Sequence, residues 1–203
     1  MFPFSRTLLD FLYPPFCVGC GNDGAWLCQA CLGDIPFLTQ EADDVCHLAP
    51  YAHPTVRTLV TNLKYHSANS LKDSFRTLLE RYPSKPDWQG TIVAVPASDK
   101  RLRERGIDQA AIIADLLRET WFPDARREVL LKRIKNTTPN AQLEDARARQ
   151  GNMAGAFEAT DPVSGDIILV DDVYTTGATM NACVEALKRA GADRIRIFTI
   201  AKG

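Results

Sequence analysis

The chain has 203 residues, of which 45% are hydrophobic, and its formal net charge is −1. This length and composition allow one main domain with a smaller unit beside it, and the near-zero charge excludes a global attraction to polyanions, so any basic binding site must be local. No apolar run is long enough to cross a bilayer, and the start of the chain lacks the parts of a secretory signal. We therefore expect a cytoplasmic protein without a membrane span.

The first predicted element is a short amphipathic segment over residues 4–13, which ends before two prolines. A double C-x-x-C pattern follows at Cys17, Cys20, Cys28 and Cys31. Four thiolates can close a tetrahedral Zn²⁺ site that leaves no position for water, which would make the zinc structural. Unpaired thiols, a redox pair and an iron–sulfur cluster are the alternatives. Zinc is favoured because two-residue spacing turns both sulfurs of a pair toward one ion, and a reducing cytoplasm disfavours disulfides.

Helical and strand patterns then alternate along the chain. A polar, acidic link at residues 38–50 leads to two predicted helices, over residues 56–66 and 71–79. The patterns that follow predict a strand at 91–96, a helix at 112–117, strands at 127–133 and 167–170, a helix at 180–190 that holds Cys183 in its apolar face, and a strand at 194–201. Strands separated by helices predict a mostly parallel sheet with right-handed crossovers.

Polar segments follow three of the predicted strands. Residues 97–106 are basic, residues 134–152 form a long segment with weak periodicity, and residues 171–179 combine two acids with a Thr/Gly sequence. Because ligands of open α/β sheets bind beyond the carboxyl ends of the strands, we expect the three segments to meet on one side of the sheet.

The segment at residues 171–179 carries two kinds of chemistry. Its Thr/Gly part offers hydroxyls and the N–H groups of a helix start, which suit a phosphate. Asp171 and Asp172 would repel a phosphate, but they suit sugar hydroxyls or Mg²⁺. The basic segment opposite suits a second anionic group such as pyrophosphate. Together these chemistries describe 5-phosphoribosyl 1-pyrophosphate (PRPP) with Mg²⁺.

Each of these features has an ordinary structural alternative. The acids could be solvated side chains at a strand end, and Thr176 or Thr179 could be the N-cap of a helix. The basic segment could be an exposed turn, and residues 134–152 a surface loop, although loops of this length are usually functional or disordered. Two acids directly before a Thr/Gly loop favour the interpretation as a binding site.

The stretch ILVDDVYTTGAT resembles the PRPP-binding signature of type I phosphoribosyltransferases. The stretches VPASDKRLRERGIDQAAIIADLL and LLKRIKNTTPNAQLEDARARQGNMAGAF are similar to segments of the ComF family of competence proteins, and a four-cysteine module before such a domain completes the pattern. The resemblance implies an α/β fold with a type I phosphoribosyltransferase core, a mostly parallel sheet flanked by helices, and a small N-terminal zinc module. It places the N-terminal helix, module and link in residues 1–45 and the phosphoribosyltransferase-like domain in residues 46–203.

The resemblance also implies roles for individual residues. Asp171 and Asp172 would hold the ribose hydroxyls directly or through Mg²⁺, and together with Arg105 and Arg133 they are the candidates for catalysis. The implied PRPP-binding set is Asp171, Asp172, Thr175, Thr176, Gly177, Ala178, Thr179, Arg101 and Arg105, with Arg103 as a further residue facing the pyrophosphate. The later family segment occupies the place of the mobile lid of related transferases, and such a lid excludes water from the site. The residues that match this segment are Arg133, Thr138, Gln142, Arg147 and Asn152.

The chain departs from the family pattern at three places. Ile107 and Asp108 stand where Phe and Asn are usual, which changes the charge and the donor capacity of the second side chain. Within the PRPP-binding signature, Tyr174 stands where many type I phosphoribosyltransferases have Ile or Val. Cys46 is the one cysteine in a region that often carries a second set, so a single zinc is expected.

Three functions remain open at this point. The first is a phosphoribosyltransferase that moves phosphoribose from PRPP to an acceptor that the sequence does not identify. The second is a single-stranded DNA-binding competence factor that acts with the DNA-uptake machinery, supported by the basic stretches KRLRER, LLKRIK and RAR. The third is a PRPP sensor that regulates a partner without turnover.

Overall fold

The structure, a computed structural model, describes residues 15–39, 42–61, 68–135 and 153–203. The predicted segment at residues 4–13 lies outside these ranges. The helices are α1 (Gln29–Gly33), α2 (Pro54–Thr61), α3 (Ala68–Arg81), α4 (Asp99–Arg105), α5 (Gln109–Thr120) and α6 (Ala178–Arg189). The strands are β1 (Val45–Pro50), β2 (Thr91–Ala94), β3 (Arg127–Glu128), β4 (Leu131–Arg133), β5 (Phe157–Ala159), β6 (Ile167–Tyr174) and β7 (Ile195–Lys202). Within the ranges given, no helix combines the length and apolarity that a bilayer span requires.

A five-stranded parallel sheet with the order β1-β7-β6-β2-β3 forms the centre of the fold. This confirms the predicted α/β architecture. The edge strand β1 lies inside the stretch that the sequence predicts as a polar link, so that prediction is wrong for Val45–Pro50. Its residues Cys46 to Ala49 are buried beside β7. A short strand that includes a histidine and a proline shows neither a long apolar run nor a clean alternation, and this explains the error.

Helices cover both faces of the sheet, as the continuous apolar run of β6 predicts. Ile167, Ile168, Leu169 and Val170 are fully buried. Ile168 and Val170 pack in one hydrophobic cluster with α5, whereas Ile167 and Leu169 pack in a second cluster with α6. Full burial of such side chains contributes about 1.5–3 kcal/mol each. The central strand is therefore fixed from both sides.

The strand predicted over residues 127–133 is two separate short strands. β3 extends the main sheet beside β2, and β4 pairs in antiparallel fashion with β5 in a second, two-stranded sheet. Val129 lies between them and is 71% exposed. An exposed apolar residue at the break makes the two strands look like one continuous strand in a hydrophobicity pattern.

The four-cysteine module packs into the same core as the sheet. Leu27, Leu32 and Ile35 are buried in the hydrophobic cluster that contains α5 and one face of the sheet. A methyl group on Gly19 would lie 3.0 Å from the Oγ1 of Thr55 in α2, so the first turn of the module approaches that helix closely. The division into residues 1–45 and 46–203 stays a prediction, which zinc removal can test because the two parts share this core.

Candidate ligand site at the carboxyl edge of the sheet

The crevice between the carboxyl ends of β2 and β6 is the point where the sheet reverses its winding. From β2 the chain crosses through α5 to β3 on one side, and from β6 it crosses through α6 to β7 on the other. Open α/β sheets bind ligands at such a switch point. The pairing of β2 with β6 ends at Ala94 and Val170. Asp171 and the residues after it therefore extend past β2 along this crevice.

The strand β6 does not end at the two acids, as the sequence predicts, but continues to Tyr174, paired there with β7 alone. β6 keeps its register with β7 through the acids, since Asp171 pairs with Thr199 and Val173 with Ala201. The N–H of Asp172 donates to Oδ1 of Asp171 at 2.8 Å, and the N–H of Val173 donates to Oδ1 of Asp172 at 2.8 Å. The backbone N–H of the next residue therefore orients each carboxylate.

The loop of Thr175, Thr176 and Gly177 joins β6 to α6. Gly177 is the N-cap of α6 and has a φ of +73°. The alternative prediction, in which Thr176 or Thr179 is the N-cap, is therefore wrong. The Oγ1 of Thr176 is buried, and no group in the described ranges forms a hydrogen bond with it. A buried hydroxyl without a partner costs about 1–3 kcal/mol. The loop therefore suits an anion that accepts a hydrogen bond from this hydroxyl at the start of α6.

The basic segment after β2 is a helix, α4, rather than the exposed turn or loop that the sequence predicts. The side chains of Arg101 and Arg105 lie outside the described part of the structure. Arg103 is exposed, and Lys100 pairs with Glu104 at 3.9 Å, one helical turn away. α4 follows the carboxyl end of β2 along the chain.

The small sheet of β4 and β5 forms the base of the predicted lid. The guanidinium of Arg133 lies 5.3 Å from the centre of the Phe157 ring, and its Nε donates to the carbonyl of Lys135 at 3.3 Å. Phe157 also packs in the cluster that contains α6, so the base rests on the helix that follows the Thr/Gly loop. Four other predicted lid residues lie outside the described residues: Thr138, Gln142, Arg147 and Asn152.

A charge relationship connects the lid base with the acids. Burial raises the pKa of the Cys183 thiol in α6, the negative charge of Asp171 raises it further, and the positive charge of Arg133 opposes this. Cys183 is fully buried and is therefore a neutral core residue, as its apolar helical position predicts.

The four cysteines of the module are arranged to hold a metal ion. Their Sγ atoms all lie within 4.8 Å of one another, and the sulfurs of Cys20 and Cys28 are 3.7 Å apart. A tetrahedral site with Zn–S bonds of about 2.3 Å places sulfurs about 3.8 Å apart, so the spacing fits zinc. Burial would raise the pKa of the Cys17 thiol, but backbone N–H groups, first that of Cys28, lower it to about 6. This favours a thiolate at Cys17. Burial and hydrogen bonds with the other three cysteines raise the pKa of Cys31 to about 12, so that thiol would release its proton only as a metal ion binds.

Comparison with known proteins identifies the family. Residues 102–203, half of the chain, match the phosphoribosyl transferase domain family. Competence protein F of Haemophilus influenzae is 26% identical over 202 residues, which cover 93% of this chain and 85% of that protein. DNA utilization protein YhgH of Salmonella typhi is 31% identical over 156 residues (73% and 68%), and competence protein ComFC of Bacillus subtilis is 30% identical over 134 residues (65% and 52%). The chain belongs to the ComF family of phosphoribosyltransferase-like proteins.

The structure explains one departure of this ComF-family chain from the family pattern. Asp108 is the N-cap of α5, and its Oδ1 accepts a hydrogen bond from the N–H of Ala111 at 3.1 Å. The amide oxygen of an asparagine would accept the same bond, so the usual family residue fits here equally well. The neighbouring Gln109 is buried and donates to the carbonyl of Val60 at 3.2 Å, which ties α5 to α2.

We expect Asp108→Ala to lower the free energy of unfolding by about 1 kcal/mol, because the first turn of α5 loses its capping acceptor. Asp108→Asn should stay within about 0.5 kcal/mol of the wild type, since it keeps the acceptor. Urea denaturation followed by circular dichroism measures both variants. A loss for Asp108→Asn as large as that for Asp108→Ala would show that the charge, rather than the cap, supports the helix.

A buried polar group beside Tyr174 has no signal in the sequence. His47 of β1 is buried, and its Nδ1 lies 2.8 Å from Oγ1 of Thr199 in β7. The Thr199 hydroxyl donates to the carbonyl of Ala201 at 3.1 Å, so it accepts from Nδ1 of the histidine. The His47 ring lies 5.0 Å from the ring of Tyr174. With β1 read as a link, the sequence offered no reason to place His47 beside β6 and β7.

Proposed function

We propose that this protein binds PRPP together with Mg²⁺ at the carboxyl ends of β2 and β6. The observation that carries the proposal is the buried hydroxyl of Thr176, which lacks a partner in the described ranges and lies in the loop that leads into α6. A phosphate monoester at this loop would accept from that hydroxyl and from the N–H groups at the helix start. The 5′-phosphate of PRPP is such a group.

Asp171 and Asp172 would hold the ribose hydroxyls and the metal ion. Both side chains are partly exposed, and each carboxylate is oriented by the backbone N–H of the next residue. Adjacent carboxylate oxygens are the ligand type that Mg²⁺ prefers, so the residues fit the ion. When bound, Mg²⁺ would offset the negative charge of the pyrophosphate. The acids come directly before the Thr/Gly loop in the chain. This order suits a ligand such as PRPP, in which the ribose diol lies near the 5′-phosphate.

Cations at the two sides of the crevice would meet the pyrophosphate. Arg101 and Arg105 of α4 would approach it from the β2 side, and Arg133 from the lid base. In a transfer reaction the bond between C1 of the ribose and the pyrophosphate oxygen breaks, pyrophosphate leaves with the electron pair, and an acceptor nucleophile adds at C1. The protein would stabilise the charges of this step without a covalent intermediate. A PRPP sensor would use the binding step alone.

Single-stranded DNA binding is a second candidate function. Two observations support it. The relatives of this chain are named competence or DNA utilization proteins, and exposed cations lie on α4 and β4. However, Lys100 pairs with Glu104 at 3.9 Å and Lys132 pairs with Glu158 at 3.1 Å, so part of this positive charge is offset locally. PRPP binding is therefore favoured, and a role in DNA uptake would rest on that binding or on a partner.

Calorimetric titration of PRPP with Mg²⁺ into the zinc-loaded protein tests the proposal. The wild type should bind, and the Asp171→Asn/Asp172→Asn variant should lose at least ~100-fold in affinity, because both metal and ribose ligands are removed. An Asp124→Asn/Asp161→Asn variant is the matched control, since it makes the same change in net charge at two exposed acids. No binding by the folded wild type, or equal losses in the two variants, would overturn the proposal. Binding of single-stranded DNA by the wild type without PRPP binding would favour the second candidate.

A further inference from the structure

Tyr174 places its hydroxyl beside the Thr/Gly loop. A methyl group on Gly177 would lie 2.5 Å from the Tyr174 hydroxyl oxygen and 2.9 Å from Cζ of the same ring. The end of this side chain therefore lies against the N-cap residue of α6.

Packing beneath the loop holds the Tyr174 ring in this position. The ring of His47 lies 5.0 Å away at an angle of 42°, and His47 is itself held by its contact with the Thr199 hydroxyl. Tyr174 also packs against the hydrophobic cluster on the α6 face of the sheet. A rigid ring that is supported in this way delivers its hydroxyl at a small cost in conformational entropy.

Two hydroxyls at the loop thus lack a hydrogen-bond partner in the part of the chain that the structure describes. One is the buried Oγ1 of Thr176, and the other is the hydroxyl of Tyr174, whose ring contacts His47. Both lie next to the start of α6, where the N-cap Gly177 supplies no side-chain acceptor and the helix dipole favours negative charge. A phosphoryl group has enough acceptor oxygens to receive both donors in addition to backbone N–H groups.

We propose that Tyr174 is a further ligand-binding residue, whose hydroxyl donates a hydrogen bond to the phosphate monoester held by the Thr/Gly loop. This inference rests on the proposed function, and it names a donor that lies outside the Thr/Gly loop itself. The contact would serve the 5′-phosphate end of the ligand and not the pyrophosphate end. Tyr174 therefore makes the site selective for a ribose 5-phosphate group.

The substitution Tyr174→Phe tests this, because it removes the hydroxyl and keeps the ring and its packing. Titrations with PRPP, ribose 5-phosphate and inorganic pyrophosphate, each with Mg²⁺, report the two ends of the site separately. Loss of a hydrogen bond to a charged group lowers affinity roughly tenfold. PRPP and ribose 5-phosphate should therefore bind to the Tyr174→Phe variant about tenfold more weakly than to the wild type. Pyrophosphate should bind as it does to the wild type, and Tm should stay within about 1 °C. Tyr51→Phe is the matched control, since it removes a tyrosine hydroxyl at the same edge of the sheet from a ring that packs against Arg57 rather than against Gly177.

The outcomes separate this inference from the function on which it rests. Wild-type affinity for ribose 5-phosphate in Tyr174→Phe, or an equal loss for pyrophosphate, overturns the role of Tyr174 while PRPP binding stands. If the wild type binds none of the three ligands, the proposed function fails and this inference fails with it. A loss confined to the two ribose 5-phosphate ligands supports both.

Discussion

We expect a chelator that removes the metal ion from the four cysteines to lower the Tm of the whole protein by roughly 10 °C or more, in a single transition. The reason is that Leu27, Leu32 and Ile35 of the cysteine module are buried in the core that also contains α5 and one face of the sheet. If the module opens, each of these side chains loses about 1.5–3 kcal/mol of burial, and in a chain of this size each 1 kcal/mol shifts Tm by about 2–4 °C. Differential scanning calorimetry with and without chelator measures the shift.

A variant with Cys20→Ser and Cys28→Ser is the control for direct effects of the chelator. It should unfold at the lower temperature whether or not chelator is present, because two of the four metal ligands are already missing. A small separate transition for the module, with the main transition unchanged, would contradict the shared core. That result would instead support residues 1–45 as an independent unit.

We expect Gly177→Ala to lower the affinity for PRPP at least ~10-fold. The residue has a φ of +73°, which costs an alanine about 1–2 kcal/mol. Its new methyl group would also lie 2.5 Å from the Tyr174 hydroxyl oxygen, so the loop or the ring must move. Either movement displaces the hydroxyls and N–H groups that would hold the phosphate. Calorimetric titration of the variant with PRPP and Mg²⁺ measures the loss.

Gly165→Ala separates this loss from general backbone strain. Gly165 has a φ of +78°, close to that of Gly177, but a methyl group there would meet nothing within 4 Å, and it lies at the opposite end of β6. Both variants should lose stability through the same strain, but Gly165→Ala should bind PRPP like the wild type. Equal affinities for the two variants would contradict a phosphate-binding role for the loop at Gly177.

Continuous or strongly periodic apolar patterns predicted the elements that form the centre of the fold. The run at residues 167–170 predicted a strand covered on both faces, and the spacing of Ile112, Ile113, Leu116 and Leu117 predicted α5. These patterns are reliable because complete burial on a sheet face or a helix face leaves a periodic trace in the sequence. The double C-x-x-C spacing predicted the metal-holding cluster for a similar reason, since the ligand geometry constrains the spacing.

Short and mixed elements were not predictable in this way. β1 contains a buried histidine, and the Thr199 hydroxyl satisfies its ring nitrogen in the core. Because Thr199 lies 152 residues away in the chain, no local pattern reveals this contact. The continuation of β6 past Asp171 and Asp172 depends on pairing with β7, which no local pattern shows. The position of Tyr174 beside Gly177 also depends on these two features. Local sequence therefore predicted the groups of the candidate site, whereas long-range pairing determines how they are placed.

The most direct test of PRPP binding at the carboxyl edge of the sheet is a crystal structure of the zinc-loaded protein with PRPP and Mg²⁺. We predict that the 5′-phosphate lies within hydrogen-bond distance of the Thr176 hydroxyl and the first N–H groups of α6, with the ribose hydroxyls or the metal at Asp171 and Asp172. A ligand bound elsewhere, or a loop without phosphate at saturating PRPP, would contradict it.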